Sequence, residues 1–360
     1  MSIAAAVADW YRQNARDLPW RRPGFSAWGT LVSEFMLQQT PVARVIPKLE
    51  MWLARWPSPG DLAVVPAGEA VRAWDRLGYP RRALYLHGAA VIITERHGGV
   101  VPHSVDELLA LPGVGDYTAR AVAVFGYGLR HPVVDTNVRR VIARAVNGEE
   151  HPGVPSTRDL ITMAELLPAD VLESTVVNAA MMELGAVVCV ARKPLCAVCP
   201  LVEKCAWRAA GYPEFVGIRN PIQKKFAGSD RQVRGLVLAE LRASEVPVSY
   251  LEFALVWPDA LQLARAVESL MRDGLIVATD WGRGASGGIS GFGSSAAIGD
   301  TAGIGDAAGI GDAAGIGDTA GIGDAAELGA TLNSGDAPKK GKIPDAVDTA
   351  RYFQLPGQNT

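Results

Sequence analysis

Residues 111–120, LPGVGDYTAR, place two glycines two positions apart between an apolar stretch and a run of helix formers. Upstream, Ser104 and Glu107 stand at S-x-x-E spacing, which predicts a capping box at the start of a short helix. Downstream, Tyr117–Phe125 reads as a second helix. Glycines at 113 and 115 let the backbone come close to a ligand, and the N–H groups at the start of the next helix point outward toward an anion. The local sequence is equally compatible with an ordinary helix turn.

The surroundings extend the helical pattern. From Val7 to about Phe215 apolar residues recur at i, i+3 and i+4, broken by turns such as Pro57-Ser58-Pro59-Gly60 and Pro152-Gly153, with no convincing alternation of strand type. This predicts an all-α region of roughly ten helices, enough for two lobes with a cleft between them. Residues 216–228 read as a polar linker. Helical stretches follow at Arg231–Arg242, Ser249–Val256 and Pro258–Arg272, then strand candidates at 275–278 and 352–355. That order is expected of a small winged-helix-like domain spanning 229–282 and 349–357. Between its two parts, residues 283–348 carry a low-complexity insertion of AIGDTA and GIGDAA hexads, with Asp300, Asp306, Asp312, Asp318 and Asp324 six apart. Five hexads offer too little bulky apolar surface to offset chain entropy, so disorder is expected there.

With 49% hydrophobic residues, the chain can build its cores without disulfides, yet all four cysteines fall within residues 189–205, CVARKPLCAVCPLVEKC. Neither a leader peptide nor a bilayer-spanning stretch is visible, so a cytoplasmic protein with reduced thiols and no membrane partner is expected, in which clustered cysteines point to metal. The pattern C-x6-C-x2-C-x5-C, formed by Cys189, Cys196, Cys199 and Cys205, has only one close pair, unlike the paired knuckles of zinc sites, and suits an iron–sulfur cube. A zinc knuckle and unligated thiols are the alternatives. Arg192 and Lys193 lie between the first two cysteines, where a fixed loop would offer cations to phosphate. The net charge of −3 is uneven: residues 1–225 carry 25 Lys and Arg against 21 Asp and Glu, whereas residues 226–360 carry 10 against 17. The acidity belongs to the C-terminal part, and the first 225 residues are mildly basic.

Two carboxylates stand out. Asp135, in VVDTNVRR, follows an apolar pair and precedes a helical stretch, the position of an N-cap, where a carboxylate stays ionised and can face a developing cation. Glu34, in LVSEFMLQQT, has apolar neighbours nearly all around its helix. If buried, it keeps a proton near neutral pH, as a general acid requires.

Taken in order over roughly residues 7–215, these motifs resemble the endonuclease III and MutY class of helix-hairpin-helix DNA glycosylases, and the MutY-type adenine DNA glycosylases in particular. The resemblance implies a [4Fe–4S] cluster on the four cysteines and a hairpin at Gly113 and Gly115 that grips the DNA backbone. It makes Asp135 the catalytic aspartate and Glu34 the acid that the endonuclease III branch lacks, with Tyr117 and Asn137 as supporting groups. The segment RDLPWR, with Arg16, Leu18, Trp20 and Arg21, is similar to the lining of the adenine pocket. Tyr117 stands where bifunctional relatives have a nucleophilic lysine, which implies base removal without an efficient lyase step. Tyr79 corresponds to a wedge inserted beside the damaged guanine, although Pro80 replaces the second tyrosine common in the family. Many relatives carry a Nudix-like domain that helps to recognise 8-oxoguanine; no such β-rich segment is read after residue 216, so opposite-base discrimination is expected to lean on Leu37, Gln39, Thr40 and Tyr79. The implied substrate is double-stranded DNA with adenine mispaired with 8-oxoguanine or guanine, bound by a monomer. Two other readings stay open: an endonuclease III-like pyrimidine or thymine-mismatch glycosylase, and a catalytically silent iron–sulfur DNA-binding protein.

Overall fold

The computed structural model describes residues 2–217, 225–279 and 351–358, which form two compact units. The hexad insertion expected at 283–348, and most of the linker expected at 216–228, lie outside the described residues.

The first unit is helical. In chain order its α-helices are α1 (Ile3–Asn14), α2 (Ala27–Leu37), α3 (Val42–Arg55), α4 (Pro59–Ala63), α5 (Ala67–Trp74), α6 (Arg81–Arg96), α7 (Val105–Leu109), α8 (Asp116–Ala121), α9 (Thr136–Ile142), α10 (Thr157–Leu166), α11 (Val171–Val187) and α12 (Ala206–Ala209). Starts are marked by local chemistry: the hydroxyls of Ser2 and Ser26 accept from Ala5 and Gly29 N–H, and Ser58 forms a capping box with Asp61. Ser104 begins α7 as expected, but its side chain makes no capping hydrogen bond, so the box read from the sequence is not formed. The predicted helix from Tyr117 to Phe125 is α8 followed by a π-helical turn, Val122–Gly126; α9 likewise runs into a π turn, Ala143–Asn147.

Two packing regions position the site. Helix α2 is buried on almost every side, and beside it Trp52 meets Trp56 and Trp74 edge-on at 4.6 and 5.6 Å. The indole of Trp28 donates to the Trp56 carbonyl at 3.0 Å. The second region joins α1 to helices more than a hundred residues downstream: Val7 packs with Val138, Val141 and Ile142 of α9, Met163 of α10, and Val177, Met181 and Leu184 of α11. Each such side chain contributes about 1.5–3 kcal/mol when fully buried. Gly185 sets how close α11 approaches α9, because a Cβ there would lie 2.7 Å from both Cβ and O of Asn137.

The second unit has α13 (Asp230–Ala243), β1 (Val248–Ser249), α14 (Tyr250–Val256), α15 (Ala260–Arg272), β2 (Val277–Thr279) and β3 (Tyr352–Gln354). Its strands form an antiparallel sheet in the order β1-β3-β2, with Phe353 between Val248 and Ala278. Three helices and this sheet match the winged-helix-like arrangement expected from the sequence. The strand predicted at 275–278 starts later than expected, because Leu275 and Ile276 are buried in the core before the ladder begins at Val277. Strand β1 is two residues long, too short to leave a pattern.

Candidate active site

Glu34 sits within α2 between Leu31, Val32, Phe35 and Met36, and 5% of its surface is exposed. Burial pushes its carboxyl up to about 7; a hydrogen bond with Tyr117 opposes the shift and the charge of Asp135 adds to it. Near neutral pH the group is therefore partly protonated, as a general acid must be. Its Oε2 is buried without a hydrogen-bond partner. An orphaned polar atom costs roughly 1–3 kcal/mol, a cost that an incoming polar ligand can remove.

The hairpin delivers Tyr117 to Glu34. Gly113 has φ +74°, and a Cβ on it would lie 2.7 Å from Tyr85 Cβ and 3.0 Å from the ring of Phe35, the neighbour of Glu34. Only glycine lets this turn seat on α2 and α6. Gly115 has an ordinary φ and open space around it; it is the exposed N-cap of α8. Burial first, then the charges of Glu34 and Asp135, hold the Tyr117 phenol well above its usual pKa, so it stays a neutral donor.

Asp135 caps α9, accepting from Val138 N–H at 2.7 Å and from the Asn137 amide at 2.8 Å. Burial raises its pKa, and these two donors pull it back. The approach to Asp135 is pinned by buried Asn178 of α11, which accepts from Val133 N–H at 2.9 Å and donates to the His131 carbonyl at 3.1 Å. Asn137 Oδ1 accepts from Arg140 at 2.6 Å, and Arg140 donates to the Cys189 carbonyl at 2.7 Å. Glu34, Tyr117 and Asp135 thus form one electrostatic group built from three separate segments.

The RDLPWR segment differs from its expected role in part. Arg16 makes a bidentate pair with Glu183 of α11 at 2.7 and 2.8 Å, and Arg21 joins the same carboxylate at 2.7 Å. Burial works to raise the Glu183 carboxyl, but the two guanidiniums outweigh it and hold it down at about 2. Both arginines are therefore engaged within the protein rather than free for a base, while Leu18 is buried and Trp20 half-buried. The expectation for Thr40 also changes: it is buried, accepts from Arg82 at 3.0 Å and donates to the Leu77 carbonyl at 3.2 Å, so its hydroxyl faces inward. Leu37 and Gln39 are half-buried, whereas Tyr79 is 48% exposed.

Glu183, Asn178 and Arg140 were not singled out by the sequence. Glu183, in MMELGAVV, carries the same signal as Glu34, a lone acid inside an apolar helical run. Asn178 and Arg140 carry no comparable local signal.

The four cysteines line one hollow together with Arg144, Val188, Leu195, Val202, Trp207 and neighbouring residues. Among the described residues, no three His, Cys, Asp or Glu side chains are arranged to hold a metal ion. Arg144 donates to Cys189 Sγ at 3.5 Å and to the Val190 carbonyl at 2.8 Å, and it stacks over Trp207 at 4.9 Å. Four thiols lining one hollow beside Arg144 match in number and chemistry what a polynuclear iron–sulfur group requires. Arg192 and Lys193 are exposed on the adjoining loop. No helix among the described residues is long and apolar enough to cross a membrane.

Residues 32–162 match the family model described as HhH-GPD superfamily base excision DNA repair protein. An adenine DNA glycosylase of Mycolicibacterium smegmatis is 52% identical over 290 residues, covering 80% of this chain and 97% of that protein. An adenine DNA glycosylase of Homo sapiens is 39% identical over 216 residues, covering 58% of this chain and 39% of that protein. Among solved structures, a thermostable thymine-DNA glycosylase superposes with a TM-score of 0.53 at 25% identity, over 57% of this chain and 95% of that one.

Proposed function

Because the chain belongs to the MutY-type branch of the HhH-GPD superfamily of base excision DNA repair proteins, we propose that it removes adenine paired with 8-oxoguanine or guanine in duplex DNA. The adenine leaves the stack and enters the site beside Trp20. Glu34 donates its proton to N7, which makes adenine a neutral leaving group as the C1′–N9 bond breaks and its electron pair departs with the base. Asp135 faces the oxocarbenium-like sugar, its anion held by Val138 N–H and the Asn137 amide. Water then adds to C1′ and gives up a proton to the site carboxylates. The products are free adenine and an abasic site. This division of labour parallels the two carboxyl groups of glycosidases. Tyr117 cannot form an imine, so the strand stays intact until alkali cleaves it.

The observation that carries this reading is the orphaned Oε2 of buried Glu34, whose carboxyl is pushed up to about 7 by burial and by the charge of Asp135. Cys189, Cys196, Cys199 and Cys205 would hold a [4Fe–4S] cluster, whose contribution when bound is to fix the loop that presents Arg192 and Lys193 to phosphate. The test is a duplex with one adenine opposite 8-oxoguanine, with base release and strand breakage read with and without alkali. Adenine release with alkali-dependent breaks is expected. Breaks without alkali would overturn the assignment of Tyr117; thymine release from a G·T duplex without adenine release would favour a thymine glycosylase; duplex binding with no release of any base would leave a silent binding protein.

A further inference from the structure

The loop that ends α2 and the loop that precedes α6 both contain strained residues. Gln39 has φ +53° and Tyr79 has φ +47°, left-handed backbones that cost a non-glycine residue on the order of 1–3 kcal/mol unless the surroundings impose them. Neither loop is long, and α2 ends without a glycine cap. Something else must hold both.

That element is Arg82, in the first turn of α6 and 6% exposed. Its Nη1 donates to the carbonyls of Phe35, Met36 and Gln38 at 2.7, 3.2 and 2.5 Å, in the last turn and at the C-cap of the helix that carries Glu34. Its Nη2 donates to Thr40 Oγ1 and to the Gly78 carbonyl, both at 3.0 Å, and its Nε reaches the Tyr79 carbonyl at 3.4 Å. Thr40 in turn donates to the Leu77 carbonyl, and the Trp74 indole to Gly78. The guanidinium lies over the rings of both Trp74 and Tyr79, 5.2 and 5.4 Å from their centroids. Each of its donors is used, and the negative end of the α2 dipole faces it. A planar fork of five donors can span these acceptors; an ammonium cannot.

We propose that Arg82 is the positioning residue for reading the opposite base: it locks Gln39 and the exposed ring of Tyr79 in one pose and ties that pose to the helix bearing Glu34. The inference rests on the proposed glycosylase reading for its substrate, though not for its geometry. Tyr79 inserts into the duplex because its backbone is held in advance, so the wedge is preorganised and does not order on binding.

The test uses the full chain and duplexes with 2-aminopurine beside the base opposite the adenine. Binding is followed by anisotropy and unstacking by 2-aminopurine fluorescence, and adenine release is measured in single turnovers opposite 8-oxoguanine and opposite cytosine. For Arg82→Lys, which keeps the charge and loses the fork, the binding-induced fluorescence rise is expected to fall below half of wild type, with the ratio of the two release rates reduced about tenfold. Tyr79→Ala should lose the fluorescence rise altogether. If Arg82→Lys fails to fold by thermal melting, Thr40→Val, which removes one acceptor of the fork, should give a smaller loss in the same two readouts. A wild-type fluorescence rise and rate ratio in the folded variant would overturn the proposal, as would losses that only track the unfolded fraction. A wild type that gives the fluorescence rise but releases no adenine would refute the glycosylase reading and leave Arg82 tested by fluorescence alone.

Discussion

Replacing Glu34 by Gln preserves shape and removes one titration, so its effect on stability is set by what burial does to the carboxylate. In the folded protein the group sits at about 7 against an ordinary value of 4.5. At 1.36 kcal/mol per unit, that difference corresponds to about 3 kcal/mol. Below pH 4.5 the acid is neutral in both folded and unfolded chains, so wild type and Glu34→Gln should be equally stable apart from local repacking. Between 4.5 and 7 the unfolded chain releases the proton while the folded one keeps it. The native state then binds more protons, and wild-type stability falls by roughly 1.4 kcal/mol per pH unit relative to the variant. Above 7 the gap stops growing. Glu34→Gln should therefore be more stable than wild type at pH 8 by up to about 3 kcal/mol while losing about 10²–10⁴-fold in adenine release with DNA affinity retained. Urea unfolding of both proteins at pH 4.5, 6 and 8 gives the stability difference, and single-turnover release gives the rate. A difference that stays constant across that range would show that Glu34 is not desolvated, and the general-acid assignment would fall with it. In wild type the release rate should drop about tenfold per pH unit above 7.

Asp135→Asn should abolish adenine release yet melt close to wild type, since Asn caps helices about as well as Asp and can still accept from Val138 N–H; a large loss of stability would mean that the aspartate is chiefly structural. Glu183→Gln removes the buried partner of Arg16 and Arg21 and, with the carboxyl at about 2 against an ordinary 4.5, should cost about 3 kcal/mol at neutral pH. Because the Glu183 carboxyl is held down at about 2, that stabilisation is present above 4.5 and should be lost as pH falls toward 2, so wild type and variant should converge in acid melts. Cys199→Ser should lose bound iron, read by iron assay and visible absorbance, together with DNA affinity, while far-ultraviolet circular dichroism keeps most of its helical signal; full iron retention would argue against ligation by this thiol.

What the sequence determined lies within a few residues of the groups concerned. The Asp135 cap, the Gly113 turn and the spacing of the four cysteines are short-range features, legible because backbone geometry and residue spacing are local. The same holds for the helices of both units, whose apolar periodicity matches the observed elements, although Ser104 shows that a capping spacing does not guarantee the hydrogen bonds. Tertiary structure decided the rest. The Glu34 carboxyl is pushed up to about 7 by burial among distant helices and by the charge of Asp135, 101 positions away, against a hydrogen bond with Tyr117, 83 positions away. Arg16 and Arg21 are claimed by Glu183 more than 160 residues downstream, and Arg82 finds its acceptors in carbonyls 44 to 47 residues upstream. Desolvation and charge pairing depend on what surrounds a side chain in space, and no periodicity in the chain records which distant segment will supply that surrounding.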